Sequence, residues 1–168
     1  TDQWAQFAIA GPNSRAVLSK IIDKVDMSND GFPFMACSDF TVCGGTPGRL
    51  FRISFSGELA YEVAVPARYG DALIREIMAA GGEFDITPYG TEALGVMRIE
   101  KGHVTGAELN GQMTAFNVNM NSMVSIKKDS IGSVLSRREV MVADNQVRLV
   151  GVKTVEKTDS LSSGAHFL

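Results

Sequence analysis

One carboxylate stands out for its setting. Glu62 interrupts the apolar run Tyr61-Glu62-Val63-Ala64-Val65, which has the β-branched and aromatic character of a strand. Side chains alternate across a strand, so Glu62 is expected on the opposite face from Tyr61 and Val63. Two readings of that face stay open. A solvated face makes Glu62 an ordinary surface acid, as most carboxylates are. A pocket-lining face requires a donor partner for the carboxylate. A flat heterocycle with an amino group beside a ring N–H would supply one, because two such donors match two carboxylate oxygens. Phe55 precedes Glu62 across a glycine-containing turn and offers an aromatic face to such a ring; the plain alternative is a core aromatic. Arg98 and Glu100 lie in Met97-Arg98-Ile99-Glu100-Lys101-Gly102, which also suits a solvated helix end whose ion pairs are worth under about 1 kcal/mol.

Other chemistries find little support. Gly44-Gly45 and Gly81-Gly82 lack the strand–glycine loop–helix context of a dinucleotide site, and there is no phosphate loop of the Gly-x-x-x-x-Gly-Lys type. Ser54, Ser56, Cys37 and Cys43 have no adjacent base in sequence, so no nucleophile and no catalytic residue is assigned. The only histidines are His103 and His166, with no close Cys/His spacing, so no metal site is expected. Cys37 and Cys43 are expected as reduced, partly buried thiols of a cytoplasmic protein. The net charge of -3, without a block of like charge, leaves no footprint for nucleic acid or an anionic membrane. No apolar run has the length to span a bilayer.

These residues need elements to position them. Trp4–Ala10 reads as a buried strand stopped by Gly11-Pro12. Asn13 or Ser14 then caps a helix carrying Ala16, Val17, Leu18, Ile21 and Ile22 on one face. Three β-like stretches follow: Phe40–Cys43, Leu50–Phe55 and Tyr61–Val65. The last two are expected to form a hairpin about Ser56-Gly57-Glu58, and Phe40–Cys43 is expected to end in a turn at Gly44-Gly45 that Thr46-Pro47-Gly48 continues. A helix from Arg68 to Ala80, with Leu73, Ile74, Ile77 and Met78 inward, ends at Gly81-Gly82. Phe84–Ile86 is a short strand or link, and Pro88 opens a helix running to Lys101. Residues 106–125 read as a long connection, Ile131–Val140 as a short helix, and Val147–Val155 and Ala165–Leu168 as strands about a turn at Asp159-Ser160. The expected fold class is α+β, an antiparallel sheet with helices packed on one face in ferredoxin-like fashion. The expected division is 1–105 for this domain, 106–146 for a connecting segment, and 147–168 for the start of a truncated β module. The chain opens on Thr1 with no initiator methionine and no signal-peptide pattern, and it is expected to be a section of a longer protein.

Three stretches then carry a resemblance. Phe55-Ser56-Gly57-Glu58-Leu59-Ala60-Tyr61-Glu62 is similar to the Tyr-Thr-Gly-Glu-x-Gly-Phe-Glu motif of the glycine-cleavage aminomethyltransferase family. Phe7–Ser14 resembles that family's apolar strand followed by Gly-Pro-Asn/Lys-Ser/Ala, and Tyr89–Gly102 its helix ending Leu-Arg-Leu-Glu-x-Gly. Ile131-Gly132 resembles a later helix start. The matches are collinear. Within the family the pattern is most similar to the C-terminal half of the α subunits of heterotetrameric sarcosine oxidases. The resemblance implies a tetrahydrofolate site, with Glu62 hydrogen-bonding the pteridine, Phe55 packing on the folate rings, and Tyr61 and Arg98 as further folate contacts. It implies that sarcosine is oxidised at a flavin elsewhere, that flavin and NAD belong to other parts of the complex, and that β, γ and δ subunits are the partners. It implies a β-barrel of which residues 147–168 are the beginning. Phe55 stands where the glycine-cleavage enzymes carry Tyr, and Leu94 where many carry an Arg. A dimethylglycine-type oxidase, a glycine-cleavage aminomethyltransferase and a non-catalytic docking domain are the other readings.

Overall fold

The computed structural model describes residues 2–125, 127–156 and 160–162. The chain divides into two compact units, Thr1–His103 and Val104–Leu168.

The first unit is built on β1 (Trp4–Ala10), α1 (Ser14–Leu18), β2 (Ile22–Asp23), β3 (Cys37–Val42), β4 (Thr46–Phe51), β5 (Ala60–Pro66), α2 (Gly70–Gly81) and α3 (Thr91–Lys101). The five strands form one antiparallel sheet in the order β1-β5-β4-β3-β2. It is an α+β fold with α1 and α2 together against β1 and β5. β5 decides the register. Val63 faces Phe7 on one side and Leu50 on the other, and Tyr61 faces Ile9. Tyr61, Val63 and Val65 therefore point with Ile9 and Leu50 into a core closed by Leu18, Leu73 and Ile77. Glu62 falls on the face turned away from α1 and α2, opposite Ala8 and Phe51.

Several expected boundaries move. β1 spans the residues its apolar run predicts, but α1 stops at Leu18, and Ile21 and Ile22 lead into the sheet instead. Asn13 is the residue before α1 but makes no side-chain cap; the Ser14 hydroxyl donates to the Leu59 carbonyl at 3.0 Å. The hairpin turn lies at Cys43-Gly44-Gly45, all three at positive φ, so Thr46-Pro47-Gly48 is strand and not turn. β4 ends at Phe51, and residues 52–59 form a broad loop in place of the tight hairpin expected at Ser56-Gly57-Glu58. Pro88 does not open α3; the chain stays extended to Gly90 before the helix starts. Both cysteines are exposed and free, not partly buried. Cys43 sits on the hairpin, where partial desolvation, with Glu76 and Asp23 adding negative charge, pushes its thiol up from the usual range. The ferredoxin-like pattern is incomplete among the described residues: no strand follows α2 to pair with the outer edge of β1.

The second unit has little regular structure. Its described elements are short helical turns at Asn121–Met123 and Leu135–Arg137, and α4 (Glu139–Val142), where one helix over Ile131–Val140 was expected. No strand forms over 147–155. Asparagine side chains take the backbone groups a ladder would use. Asn117 donates from Nδ2 to the Val147 carbonyl at 2.8 Å, and Asn119 donates to the Leu149 carbonyl at 2.7 Å. The Leu149 N–H donates to the Asn117 carbonyl. Asn117 is itself buried, and its Oδ1 accepts from the Thr114 N–H and hydroxyl. The expected turn at Asp159 and strand at Ala165–Leu168 lie outside the described residues.

Two outcomes follow. Leu50 is fully buried between β3 and β5. Leu50→Ala is expected to lower unfolding free energy by about 2–5 kcal/mol, read as a reduced urea midpoint. The Asp26 carboxyl accepts from the Ser28 N–H at 2.9 Å, which holds it below its ordinary value of 3.8. A depressed folded-state value stabilises above the unfolded pKa and is lost as pH falls through the folded one. The stability difference between the wild-type chain and Asp26→Asn is therefore expected to be constant above about pH 5 and to close below pH 3.8 in acid-dependent urea titrations.

Candidate functional site

Three stretches that are far apart in sequence are joined around β5. The Leu59 carbonyl, just before β5, accepts from the Gly11 N–H at 2.9 Å and from the Ser14 hydroxyl at 3.0 Å. This ties the Gly-Pro-Asn-Ser turn to the loop carrying Phe55. Two residues earlier in the same loop, Gly57 adopts φ +89, and a Cβ there would collide with the Lys101 side chain. The loop thus leans directly on the C-terminal end of α3. Within it the Gly57 N–H donates to Ser54 Oγ at 2.9 Å, closing a local turn that lifts Phe55 outward.

α3 ends in a Schellman arrangement. Gly102 sits in the left-handed region at φ 80, its N–H donates to Ile99, and the His103 N–H donates to the Arg98 carbonyl at 2.8 Å. This geometry turns His103 back on the Phe55 loop. His103 Nδ1 lies 2.8 Å from the Phe55 carbonyl, and the two rings are 6.0 Å apart and tilted by 33°. The Arg98 guanidinium donates to the His103 carbonyl at 3.2 Å.

Of the four residues singled out from sequence, Phe55 and Arg98 therefore share one cluster, with His103 between them. Phe55 is 42% exposed, so it is no core aromatic. Glu62 is half-buried on the sheet face turned away from α1 and α2, and its Oε2 accepts a hydrogen bond from the Gln6 side-chain amide. Tyr61 departs from expectation as a ligand contact. It is fully buried on the helix side, stacked on Phe32 with its hydroxyl accepting from Arg15 Nε at 3.0 Å. The two-residue strand period that exposes Glu62 necessarily sends its neighbour into the core.

Sequence reasoning missed Gln6 and His103. A lone polar residue within the Trp4–Ala10 apolar run, at a strand position able to reach Glu62, was the available signal for Gln6. For His103 it was the histidine directly after the helix-stopping Gly102. Beside β1 runs a cleft of about 570 Å³, lined by Gln6, Ile9, Met78, Ile86, Tyr89 and Leu94 among others. Gln6 thus borders this cleft while holding Glu62. Leu94 presents a hydrocarbon surface there in place of the charge that an arginine would bring.

This sheet-and-loop arrangement has known counterparts. The chain belongs to the GCVT N-terminal domain family, whose pattern matches residues 1–128. More particularly, it is 48% identical over 170 residues to the sarcosine oxidase subunit alpha of Rhizobium meliloti (strain 1021), a likeness that covers all of this chain and 17% of that protein. It is 43% identical over 166 residues to the corresponding subunit of Corynebacterium sp. (strain U-96), covering 98% of this chain and 17% of the relative. Mitochondrial dimethylglycine dehydrogenase of Mus musculus is 33% identical over 135 residues, 79% of this chain and 15% of that one. The chain thus spans about a sixth of the length of these relatives. Among the described residues no helix is long and apolar enough to cross a membrane.

The Schellman glycine generates a direct check. Gly102→Ala forces a side chain into the left-handed region and is expected to cost about 1 kcal/mol. The same change should shift the backbone resonances of Phe55 and His103 in amide spectra, while those of β2 and β3 stay in place.

Proposed function

We propose that this chain is the tetrahydrofolate-binding section of a sarcosine-oxidase-type α subunit. In the complete complex it takes the one-carbon unit released by oxidative demethylation of sarcosine, so that glycine and 5,10-methylenetetrahydrofolate are the products. Flavin and NAD are held by other parts of that complex, and the partners are its β, γ and δ subunits. Residues 1–105 carry the folate-binding domain, and 106–146 connect it to residues 147–168. The setting is cytoplasmic. The isolated chain holds part of a site and no turnover of its own.

The observation that carries the reading is the state of Glu62. Its carboxylate stands on the sheet face turned away from α1 and α2 and already engages an amide donor, the Gln6 side chain. An amino group beside a ring N–H presents the same donor chemistry twice, matched to two oxygens. Phe55 offers an exposed aromatic face on the loop that leads into the same strand. The likeness to sarcosine oxidase α subunits over the entire chain gives the reaction context.

Glu62→Gln keeps the shape and removes the charge. Because a hydrogen bond to a charged group is worth about 1.5–3 kcal/mol, tetrahydrofolate affinity measured anaerobically by calorimetry is expected to fall by roughly ten- to a hundredfold. Equal affinity in both proteins would remove Glu62 from the folate contact, and no saturable binding by the full-length protein would favour a docking role without folate. A dimethylglycine-type enzyme is the second reading, supported by the mouse dimethylglycine dehydrogenase likeness. Turnover of sarcosine against dimethylglycine by the full-length protein separates the two.

A further inference from the structure

We infer that His103 is a positioning residue that fixes Phe55 as a ligand-ready platform, and that it does so as the Nδ1–H tautomer. The inference rests on the folate reading above for the identity of the ligand.

The atom 2.8 Å from His103 Nδ1 is the Phe55 carbonyl oxygen, which only accepts. Nδ1 must therefore carry the proton. A neutral imidazole has one N–H, so Nε2 is left with a lone pair. No described protein atom hydrogen-bonds Nε2. The ring edge beside the Phe55 platform is thus an acceptor, suited to a heterocycle bearing N–H groups.

Phe55 needs such a clasp. It lies in a loop, beyond the end of β4, with its ring largely outside the core. A mobile aromatic loses ordering entropy on each binding event, and a held one does not. His103 is held from behind, by its own N–H on the Arg98 carbonyl and by the Arg98 guanidinium on its carbonyl. The end of α3 thereby transmits its rigidity to the loop through one imidazole. Arg98 acts here through His103, a different role from the direct folate contact expected from sequence.

Two substitutions separate positioning from bulk. His103→Asn places an amide N–H close to where Nδ1–H sits and keeps the donor to Phe55. His103→Phe keeps an aromatic ring and loses the donor. The first readout needs no ligand: long-range ¹⁵N–¹H spectra of the histidine-labelled chain in basic buffer, with His103→Asn to distinguish the signal from His166. The expected result is protonated Nδ1 and bare Nε2. The second is anaerobic tetrahydrofolate titration, with Glu62→Gln as the control on the functional reading. His103→Phe is expected to weaken binding about tenfold, and His103→Asn to recover most of that loss. A protonated Nε2 with bare Nδ1 overturns the clasp. Equal affinity for the Phe and Asn variants, in chains with unchanged amide spectra outside the loop, overturns the positioning role. With the expected tautomer but no folate binding by the wild-type chain, the titration is repeated on the full-length protein, and no binding there overturns the folate reading and the platform role with it.

Discussion

The arrangement depends on the two-residue period of β5. Tyr61, Val63 and Val65 are all fully buried against the helices, and that burial fixes the strand's register against β1 and β4. A slip by one residue would put Glu62 in the core and Val63 in solvent, with an unpaired buried charge as the cost. The position of the candidate ligand carboxylate is therefore enforced by hydrophobic packing on the opposite face. Stability and site geometry are two consequences of one strand.

The second constraint is how loop residues 52–59 are held at two points. The Leu59 carbonyl receives two donors from the turn after β1, and Phe55 is clasped by His103, just beyond the Gly102 that ends α3. Neither anchor buries much apolar area. Both work by satisfying specific polar groups in place, which limits conformational freedom without a core. Loops of this kind suit binding, since side chains are presented outward from a rigid frame.

Legibility from sequence followed the range of the interactions. The limits of β1 were readable because an apolar run ends at Gly11-Pro12, and α2 was readable from the spacing of Leu73 and Ile77. Glu62's face followed from alternation alone. The turn at Gly44-Gly45 and the pairing of the strands on either side of Ser56-Gly57 were readable, but not the bounds: Thr46-Pro47-Gly48 continues as strand, and the connection around Gly57 widens to residues 52–59, because strand pairing, not the glycine, sets where each turn ends. Val147–Val155 has strand composition, but the deciding contacts come from Asn117 and Asn119, far away in sequence. Gln6 and His103 were missed for the same reason: each matters only through a partner that the fold brings to it.

The most direct test of the account is an anaerobic titration of the isotope-labelled chain with tetrahydrofolate, followed by amide chemical shifts. The account predicts saturable shifts concentrated in residues 52–62, around Gln6, and across Arg98–His103. Saturable shifts confined to the loop-lined face at Asp23–Thr41, on the far side of the sheet order, would contradict it.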